Sequence, residues 1–569
     1  TAVINSQTTA EIDDGAVVLV RTTSNPGAGT IDENKLSVDA IDTSSASSQA
    51  VAGTGALLVG ANAAVADTTQ KARTHTRLGN QVTLGSGVLS LGANSNVRGS
   101  SVASGISVGG LLSVGAAISR THSQTDTTLS YGLGTRYEQV DGREVAGSRA
   151  SLSAKGHATL ISRTLAGSGG IISGAAASSA IDDTGRASVT LADGTGPAVA
   201  SHATLAAGTV DVVADYRSTY GLHANAVNAS VVGASGTEAI YTNTANGRKA
   251  GATIDVGRHA EVEALDGISM TAASHVQRVA GTASPSDGDA MYVATGAGGG
   301  LISGAAVVAK QTPQHEAATR VADNASLITA GDPYLRKGNI ALHARTTTDA
   351  AMHVKLNTGG AIQAPFTKSE TFLNTRVTTS LGQNTLVRST GGFGLTTSVD
   401  HKVLSEALTK TYGAIGIAGG RSVTELIANE FVTVGSGANV FAWDNINIGA
   451  GMNADGAAIN LLGARAITDV YNYALIPITP ELDAEASAVD RATVTVHANA
   501  NVRAVRDVRI GARRGLSDAK TVAAGHNPYS ESTHEVINAP GNELVKYEHA
   551  LAVHGNVMAG VRSTTRVNI

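Results

Sequence analysis

Short runs of alternating apolar and polar residues, separated by turn residues, recur along most of the chain. The stretch ATIDVGRHAEVEALDGISMTA from Ala252 matches EFVTVGSGANVFAWDNINIGA from Glu430 and ATVTVHANANVRAVRDVRIGA from Ala492 without a gap. In the first copy the alternation forms three runs, which turn-like residues interrupt at 257–259 and 265–267. Because successive side chains of a strand point to opposite faces, each run predicts a half-buried strand.

Three strands and two bends form a unit that is typical of one coil of a parallel β-helix. A helical alternative fails, because apolar residues do not recur at intervals of three and four and β-branched residues are common. Diverged copies carry their extra residues at the bends, which stacked coils tolerate. The chain is therefore predicted to be all-β, one continuous and uncapped segment over 1–569 with loop insertions at 281–295, 331–339 and 469–485.

A second repeat consists of strands made almost wholly of apolar or very small residues, such as GGLISGAAVVAKQT. Its copies recur mostly every 55–60 residues, which predicts blocks of about three coils of roughly 20 residues each. Both faces of this strand carry apolar or very small residues, so burial is favourable for both. One explanation is that the strand leaves a flat, poorly hydrated surface or is covered by another part of its own chain. The other is that it packs sideways against another β-helix. The residues predicted to form this lateral stripe are Leu57, Leu111, Ile171, Val231, Leu301, Ala305 and Val307.

Composition narrows the class of protein. Of 569 residues, 66 are glycine and 3% are aromatic, so the core is expected to be thin. A net charge of -5 and the lack of a basic stripe interleaved with aromatics argue against a nucleic-acid partner. The chain has no cysteine, which is compatible with an oxidising compartment, and no run long enough for a transmembrane segment. Because its pattern starts and stops abruptly, it is expected to be a segment of a longer protein.

Candidate catalytic and metal-binding groups are sparse. Carboxylates lie close together at 13–14, at 182–183 and at Asp287 and Asp289, and the last pair is the candidate for calcium. All three pairs lie at predicted bends, where aspartate bonds its own backbone, so solvated turn chemistry explains them without a site. The histidines form no HExxH arrangement and have no cysteine partner. The sequence therefore predicts no metal, no cofactor and no enzymatic activity.

Large aromatic residues are concentrated in one part of the chain. All five phenylalanines and the single tryptophan lie between Phe366 and Trp443, and Tyr471 and Tyr473 follow in DVYNYALIPITPELD. Trp443 occupies the bend position that Leu265 holds in the aligned copy. Rings at such positions shield a bend or the end of a core, or they contact a sugar or a protein partner.

The alternation of GG-apolar-apolar-x-x-G-A-A strands with A-x-V-x-A-x-G-x-I-x-I-x-A coils resembles the repeat region of large leukotoxin-type exoproteins of Gram-negative bacteria, relatives of filamentous-haemagglutinin-like adhesins. The resemblance covers nearly the whole chain, from about residue 10 to 568. It implies a right-handed parallel β-helix, export to the cell surface through an outer-membrane partner, and a role in adhesion, matrix building or cytotoxicity. The amino-terminal secretion domain of that family is not visible in this sequence.

The sequence and the resemblance together predict a structural or adhesive segment of a secreted bacterial surface fibre, outside the cell or on its outer surface. Its rungs are expected to assemble laterally or end to end, through self-association or with more of the same longer chain. Surface glycans or host cells are further expected partners. A pore-forming or cytotoxic exoprotein is the alternative, and a polysaccharide-active β-helix enzyme is third, because a fold does not establish a function.

Overall fold

Extended strands account for the regular structure of this protein. The computed structural model describes residues 1–20, 35–138, 148–196, 201–245, 248–279, 292–334, 337–539, 542–548 and 557–568. Within these residues there are β-strands and no α-helix. The first strands are β1 (Ala2–Ile12), β2 (Val17–Leu19), β3 (Lys35–Ala56), β4 (Val59–Leu78), β5 (Thr83–Gly85), β6 (Val88–Gly109), β7 (Leu112–Tyr131), β8 (Arg136–Glu138), β9 (Arg149–Asp183), β10 (Arg186–Leu191) and β11 (Thr204–Thr242).

The middle and last parts of the chain continue in the same way. The middle strands are β12 (Thr244–Ala245), β13 (Arg248–Val256), β14 (Glu261–Arg278), β15 (Ala294–Thr312), β16 (Gln314–Val321), β17 (Ser326–Thr329), β18 (Asn339–Leu381), β19 (Leu386–Ser389), β20 (Phe393–Ile417) and β21 (Gly419–Val434). The last are β22 (Asn439–Ala442), β23 (Ile446–Ala450), β24 (Leu461–Ile478), β25 (Leu482–Val496), β26 (Asn501–Ala504), β27 (Val508–Ala512), β28 (Leu516–Asn527), β29 (Ser530–Ala539), β30 (Asn542–Glu548) and β31 (Val557–Asn568).

Most strand pairs are parallel, and each strand pairs with the equivalent strand of the next passage of the chain, which we call the next circuit. The shortest interval joins Phe393 to Ile446, 53 residues on, and the longest joins Ala484 to Val557, 73 residues on. Among the described strands only β12–β13, β28–β29 and β29–β30 pair antiparallel. The predicted all-β class is therefore confirmed, and the parallel pairing is consistent with the β-helix class.

The predicted coil of about 20 residues is wrong, because paired positions lie a whole block apart. The predicted interval of 55–60 residues is close to the circuit itself. The three stretches that match without a gap are the same part of different circuits, since their first residues belong to one pairing series. That series is Ala252, Ala317, Val377, Glu430 and Ala492. Alternation locates strands correctly, but it does not indicate how many strands complete a circuit.

Columns of apolar side chains, two of which run through nine circuits, form the core of the short-strand part of each circuit. Parallel pairing stacks equivalent residues directly on one another, so each column repeats one type of side chain along the stack. Nearly all members inside the stack are fully buried. One column is Ile12, Leu78, Tyr131, Leu191, Val256, Val321, Leu381, Val434 and Val496. Another is Val18, Leu84, Tyr137, Leu205, Val262, Leu327, Val387, Val440 and Val502.

The bend between the first two short strands has the same backbone conformation in most circuits. One equivalent residue has a φ between 54° and 73°, in the left-handed region. Glycine and asparagine tolerate this conformation best, which explains why they recur at this bend in most circuits. The residues are Gly15, Gln81, Gly134, His259, Asn324, Asn384, Gly437 and Asn499.

Each circuit also contains a flat extension, which we call the blade and which holds the glycine- and alanine-rich strands. In β9 the hydroxyls of Ser162 and Ser179 are hydrogen-bonded at 2.8 Å, although they lie 17 residues apart in one strand. The chain therefore folds back between them, near 169–172, and the two arms face each other through side chains. The first arm pairs with first arms of neighbouring circuits and the second arm with second arms.

The blade interior is filled by small and hydroxyl side chains that bond one another. Tyr220 donates to Gln311, whose amide donates to Thr371 at 2.7 Å, and Ser405 donates to Thr371 at 2.8 Å. All four residues are buried, and they belong to four different strands. Buried polar groups are tolerated when they are paired in this way, so the blade is held by hydrogen-bonded columns as well as by apolar contact.

One prediction about loops needs correction. The segment 469–485 is not a loop insertion, because β24 continues to Ile478 and β25 begins at Leu482. At the carboxyl-terminal end, β29 and β30 add antiparallel to the edge of β28, whereas β26 and β27 pair with no later strand among the described residues, so an uncapped end stays a prediction. Residues 330–334 and 337–338 connect β17 to β18, near the predicted insertion at 331–339. Most of the predicted insertion at 281–295 lies outside the described residues.

A buried position inside the blade should reject charge, whereas an outer position of the same strand should accept it. We expect Val307→Glu to lower the free energy of unfolding by about 3 kcal/mol or more, because Val307 is fully buried and a lone carboxylate there has no partner. Thr312→Glu, on the half-exposed side of β15, is the matched control. Urea unfolding followed by circular dichroism measures both, and equal midpoints would contradict the inward orientation of Val307.

Candidate interaction surface

The blade tips carry a continuous row of exposed aliphatic side chains. Parallel pairing aligns each tip with the tips of neighbouring circuits, so their side chains lie about 4.8 Å apart along the stack. Exposed fractions range from 38% at Leu112 to 59% at Val59, and Ile415 alone is less exposed than this. The row consists of Val59, Leu112, Ile172, Val232, Ile302, Ile362, Ile415 and Ile476.

Five of the seven residues predicted for the lateral stripe lie beside this row. Leu57 is 93% exposed and Leu301 is 58% exposed, which is unusual for leucine. The other three are Leu111, Ile171 and Val231, and each is close to half exposed. The structure therefore brings these five residues together at one edge of the molecule.

The remaining two predicted stripe residues point the other way. Ala305 is 6% exposed and Val307 is fully buried, and both belong to the core. The prediction fails because the side chains of a strand alternate between its faces, and in the blade the other arm covers one of those faces. The outward positions of β15 are Ile302, Gly304 and Ala306.

The outer face of the second arm, which we call the blade face, is apolar for three outward positions from the tip. The first position is the tip row, and the fourth is mixed, with Val65, Ile118 and Val308 beside Ser178, Glu238 and Lys368. Between them lie two columns of mostly small residues, all of them exposed or half-exposed. These columns are Ala61, Val114, Gly174, Ala234, Gly304 and Ala364, and Ala63, Ala116, Ala176, Gly236, Ala306 and Phe366.

Two of the predicted contact aromatics lie in one cluster on the opposite face of the blade. Tyr473 stacks on Tyr412 of the preceding circuit with ring centroids 5.6 Å apart, and Tyr471 lies 5.9 Å from Tyr473. His526 stacks on Tyr471 at 4.3 Å, and the Lys410 ammonium lies 4.8 Å from the same ring. Sequence analysis missed Tyr412 and His526 because they become neighbours only through the pairing of circuits.

The third predicted aromatic lies elsewhere. Trp443 is at the bend between β22 and β23, in edge contact with Tyr334 and Phe441 at 5.9 Å each. Its exposed fraction is 38%. This arrangement covers the bend, which is the structural role considered for it from the sequence.

The next feature is the set of acidic residues and histidines that were considered as metal ligands. Asp287 and Asp289, the candidates for calcium, lie outside the described residues. Within them, no group of three or more histidine or acidic side chains is placed to hold a metal ion. The pair at 182–183 is not a solvated turn, because Asp183 is buried and accepts hydrogen bonds from the Tyr216 hydroxyl at 2.7 Å. The described part also contains no helix with the length and hydropathy of a membrane span.

A buried carboxyl pair is the group that sequence reasoning overlooked. Glu430 is fully buried, accepts a hydrogen bond from Asn460 and another from the Gly451 N–H at 3.2 Å, and lies near Asp490. Burial raises the pKa of Glu430 to about 7, and the neighbouring Asp490 adds to this effect. Burial also raises the pKa of Asp490 to about 6, although Arg514 opposes it. The signal was present in the alignment, where Glu430 occupies the position of Ala252 and Ala492.

No family model, curated protein or solved structure matches the chain.

The contribution of Glu430 to the free energy of unfolding should fall as the pH rises from about 4.5 to 7, because Glu430 binds its proton more tightly when folded than when unfolded. Its neutral form is favoured below this window, and the cost of the buried charge is complete above it. Glu430→Gln removes this titration, so its unfolding free energy relative to the wild type should rise between pH 5 and pH 8, by up to about 3 kcal/mol.

The control is Glu425→Gln, on the half-exposed side of the same strand. Urea midpoints of all three proteins at pH 5 and pH 8 give the comparison. If Glu430→Gln differs from the wild type by the same amount at both pH values, Glu430 is already ionised in the folded protein.

Proposed function

We propose that this chain is a structural segment of a bacterial surface fibre, built as a right-handed parallel β-helix that assembles with further copies or with more of a longer chain. Two observations together carry the proposal. Equivalent apolar side chains stack through nine circuits, as in the column from Val18 to Val502, and an exposed aliphatic row follows the tips of the blade. A rod with one adhesive edge suits assembly, because large exposed apolar surfaces in proteins commonly mark contact sites.

The mechanical role follows from the direction of the hydrogen bonds. Parallel backbone ladders run along the stack, and columns of apolar side chains such as Leu205, Val262 and Leu327 continue in the same direction. Each circuit is supported mainly by its two neighbours, so the length of the rod increases with the number of circuits. A chain of this kind acts as a spacer that carries exposed surfaces outward from its point of attachment.

Adhesion would use the exposed surfaces of the rod. The aromatic cluster supplies two exposed rings, Tyr412 and Tyr473, of the kind that contact sugars or protein partners, with the half-exposed Tyr471 beside them. The location outside the cell or on its outer surface, and the glycan or host-cell partners, remain part of this proposal. Its support from the chain itself is the lack of cysteine and the assembly-prone blade edge.

Electron microscopy of the purified protein over a range of concentrations tests the proposal. We expect ordered multi-chain fibres, and fibre diffraction from them should show a repeat of about 4.8 Å along the rod axis. Heat-unfolded protein at the same concentrations is the control for disordered aggregation. Dispersed single particles at every concentration would overturn the fibre, and lysis of host cells at low dose by this chain would favour the cytotoxic alternative.

A further inference from the structure

The blade face has a shape that fits a copy of itself. Its first column, at the tip, is a ridge of large aliphatic residues such as Ile172 and Ile302. The next two columns, which we call the groove, are lower over four of the six arms, where a side chain added at Gly236 or Gly304 would meet nothing within 4 Å, and Val114 and Phe366 are the larger residues in the other two. When two such faces meet about a two-fold axis, the ridge of each lies over the groove of the other. This reciprocal contact is the requirement for a self-complementary interface.

The size of the face is that of a stable interface. Six paired second arms, from Val59 to Ile362, span roughly 29 Å at the spacing of about 4.8 Å between strands. Three apolar outward positions along each arm add roughly 20 Å, so each copy offers about 580 Å². Two copies would together bury about 1,200 Å², the lower end of the range for specific, stable interfaces, which is about 1,200–2,000 Å².

Charge begins at the fourth outward position and forms the border of this face. The fifth outward position carries Asp67, Arg120, Lys310 and Glu370, two residues of each sign. The fourth position carries Glu238 and Lys368, again one residue of each sign. An apolar centre with a polar border of mixed sign is the usual anatomy of a protein interface, and it does not favour an anionic or a cationic partner.

We infer that the blade face docks on the blade face of a second copy of this chain, with the tip ridge of each copy in the groove of the other. This inference rests on the proposed function and adds to it the partner and the surface. It makes the unit of the fibre a pair of rods joined along their blades. The small residues of the groove allow the two sheets to approach closely, which brings the ridges into contact.

Sedimentation equilibrium of the wild type and two arginine variants tests the inference. Ala176→Arg places a long charged side chain at an exposed position in the groove, and Thr190→Arg places the same side chain at an exposed position of β10, outside the face. At concentrations below those that give fibres, we expect a dimer for the wild type and for Thr190→Arg, and at least tenfold weaker association for Ala176→Arg. Circular dichroism should show that all three are folded, because both positions point outward.

Cysteine cross-linking gives a second measurement that does not depend on a large substitution. The chain has no native cysteine, so Ala234→Cys introduces a single thiol near the centre of the face, where a two-fold axis brings equivalent residues together. We expect an intermolecular disulfide under mild oxidation, and none for Thr190→Cys. Unchanged association of Ala176→Arg together with no cross-link at residue 234 would overturn the inference.

The remaining outcomes separate this inference from the proposed function. Fibres one rod wide, with a monomeric blade face, would leave the fibre in place and overturn the pairing. A chain that stays monomeric but binds neutral phosphatidylcholine vesicles, with binding lost in Ala176→Arg, would assign the face to lipid instead. No assembly of any kind would overturn both.

Discussion

In-register parallel pairing is the constraint on which the rest of the structure depends. Each residue has the equivalent residues of two neighbouring circuits directly above and below it, so a side chain that suits one circuit must suit the others. Leucine, valine and isoleucine therefore form columns in the short-strand core, and serine and threonine form hydrogen-bonded columns in the blade. Stacking also aligns exposed residues. Equivalent aliphatic residues at successive tips therefore form a row along the blade edge.

The blade shows how composition and fold are connected. Its two arms enclose little volume, so the interior accepts hydroxyls, alanine and glycine in place of large rings. Buried tyrosines such as Tyr216 and Tyr220 lie where a hydroxyl partner is available, on Asp183 and Gln311 respectively. The two sides of each blade strand therefore have different roles, one in stability and the other in the proposed function. The inner positions hold the arms together, and the outer positions are free to form the ridge and groove of the blade face.

Much of this architecture could be predicted from the sequence, with limits that particular residues make clear. The alternation around Ala252 located its strands and bends, and the gapless match with Glu430 and Ala492 identified residues that do stack in one column. The length of a circuit was misjudged, because a bend in the sequence does not reveal whether the chain closes on itself or extends into a blade. The burial of Asp183 and Glu430 was missed for a related reason, since their partners come from other strands.

The sequence by itself determined the all-β class, the strands, the turn positions and the existence of a recurring apolar segment, because these depend on local periodicity and backbone preference. The tertiary structure alone decided which side of that segment is exposed. Leu301 and Val307 are equally apolar in the sequence, yet one projects from the tip and the other is enclosed between two arms. That difference arises when a distant part of the chain covers one face of the strand, which no local pattern records.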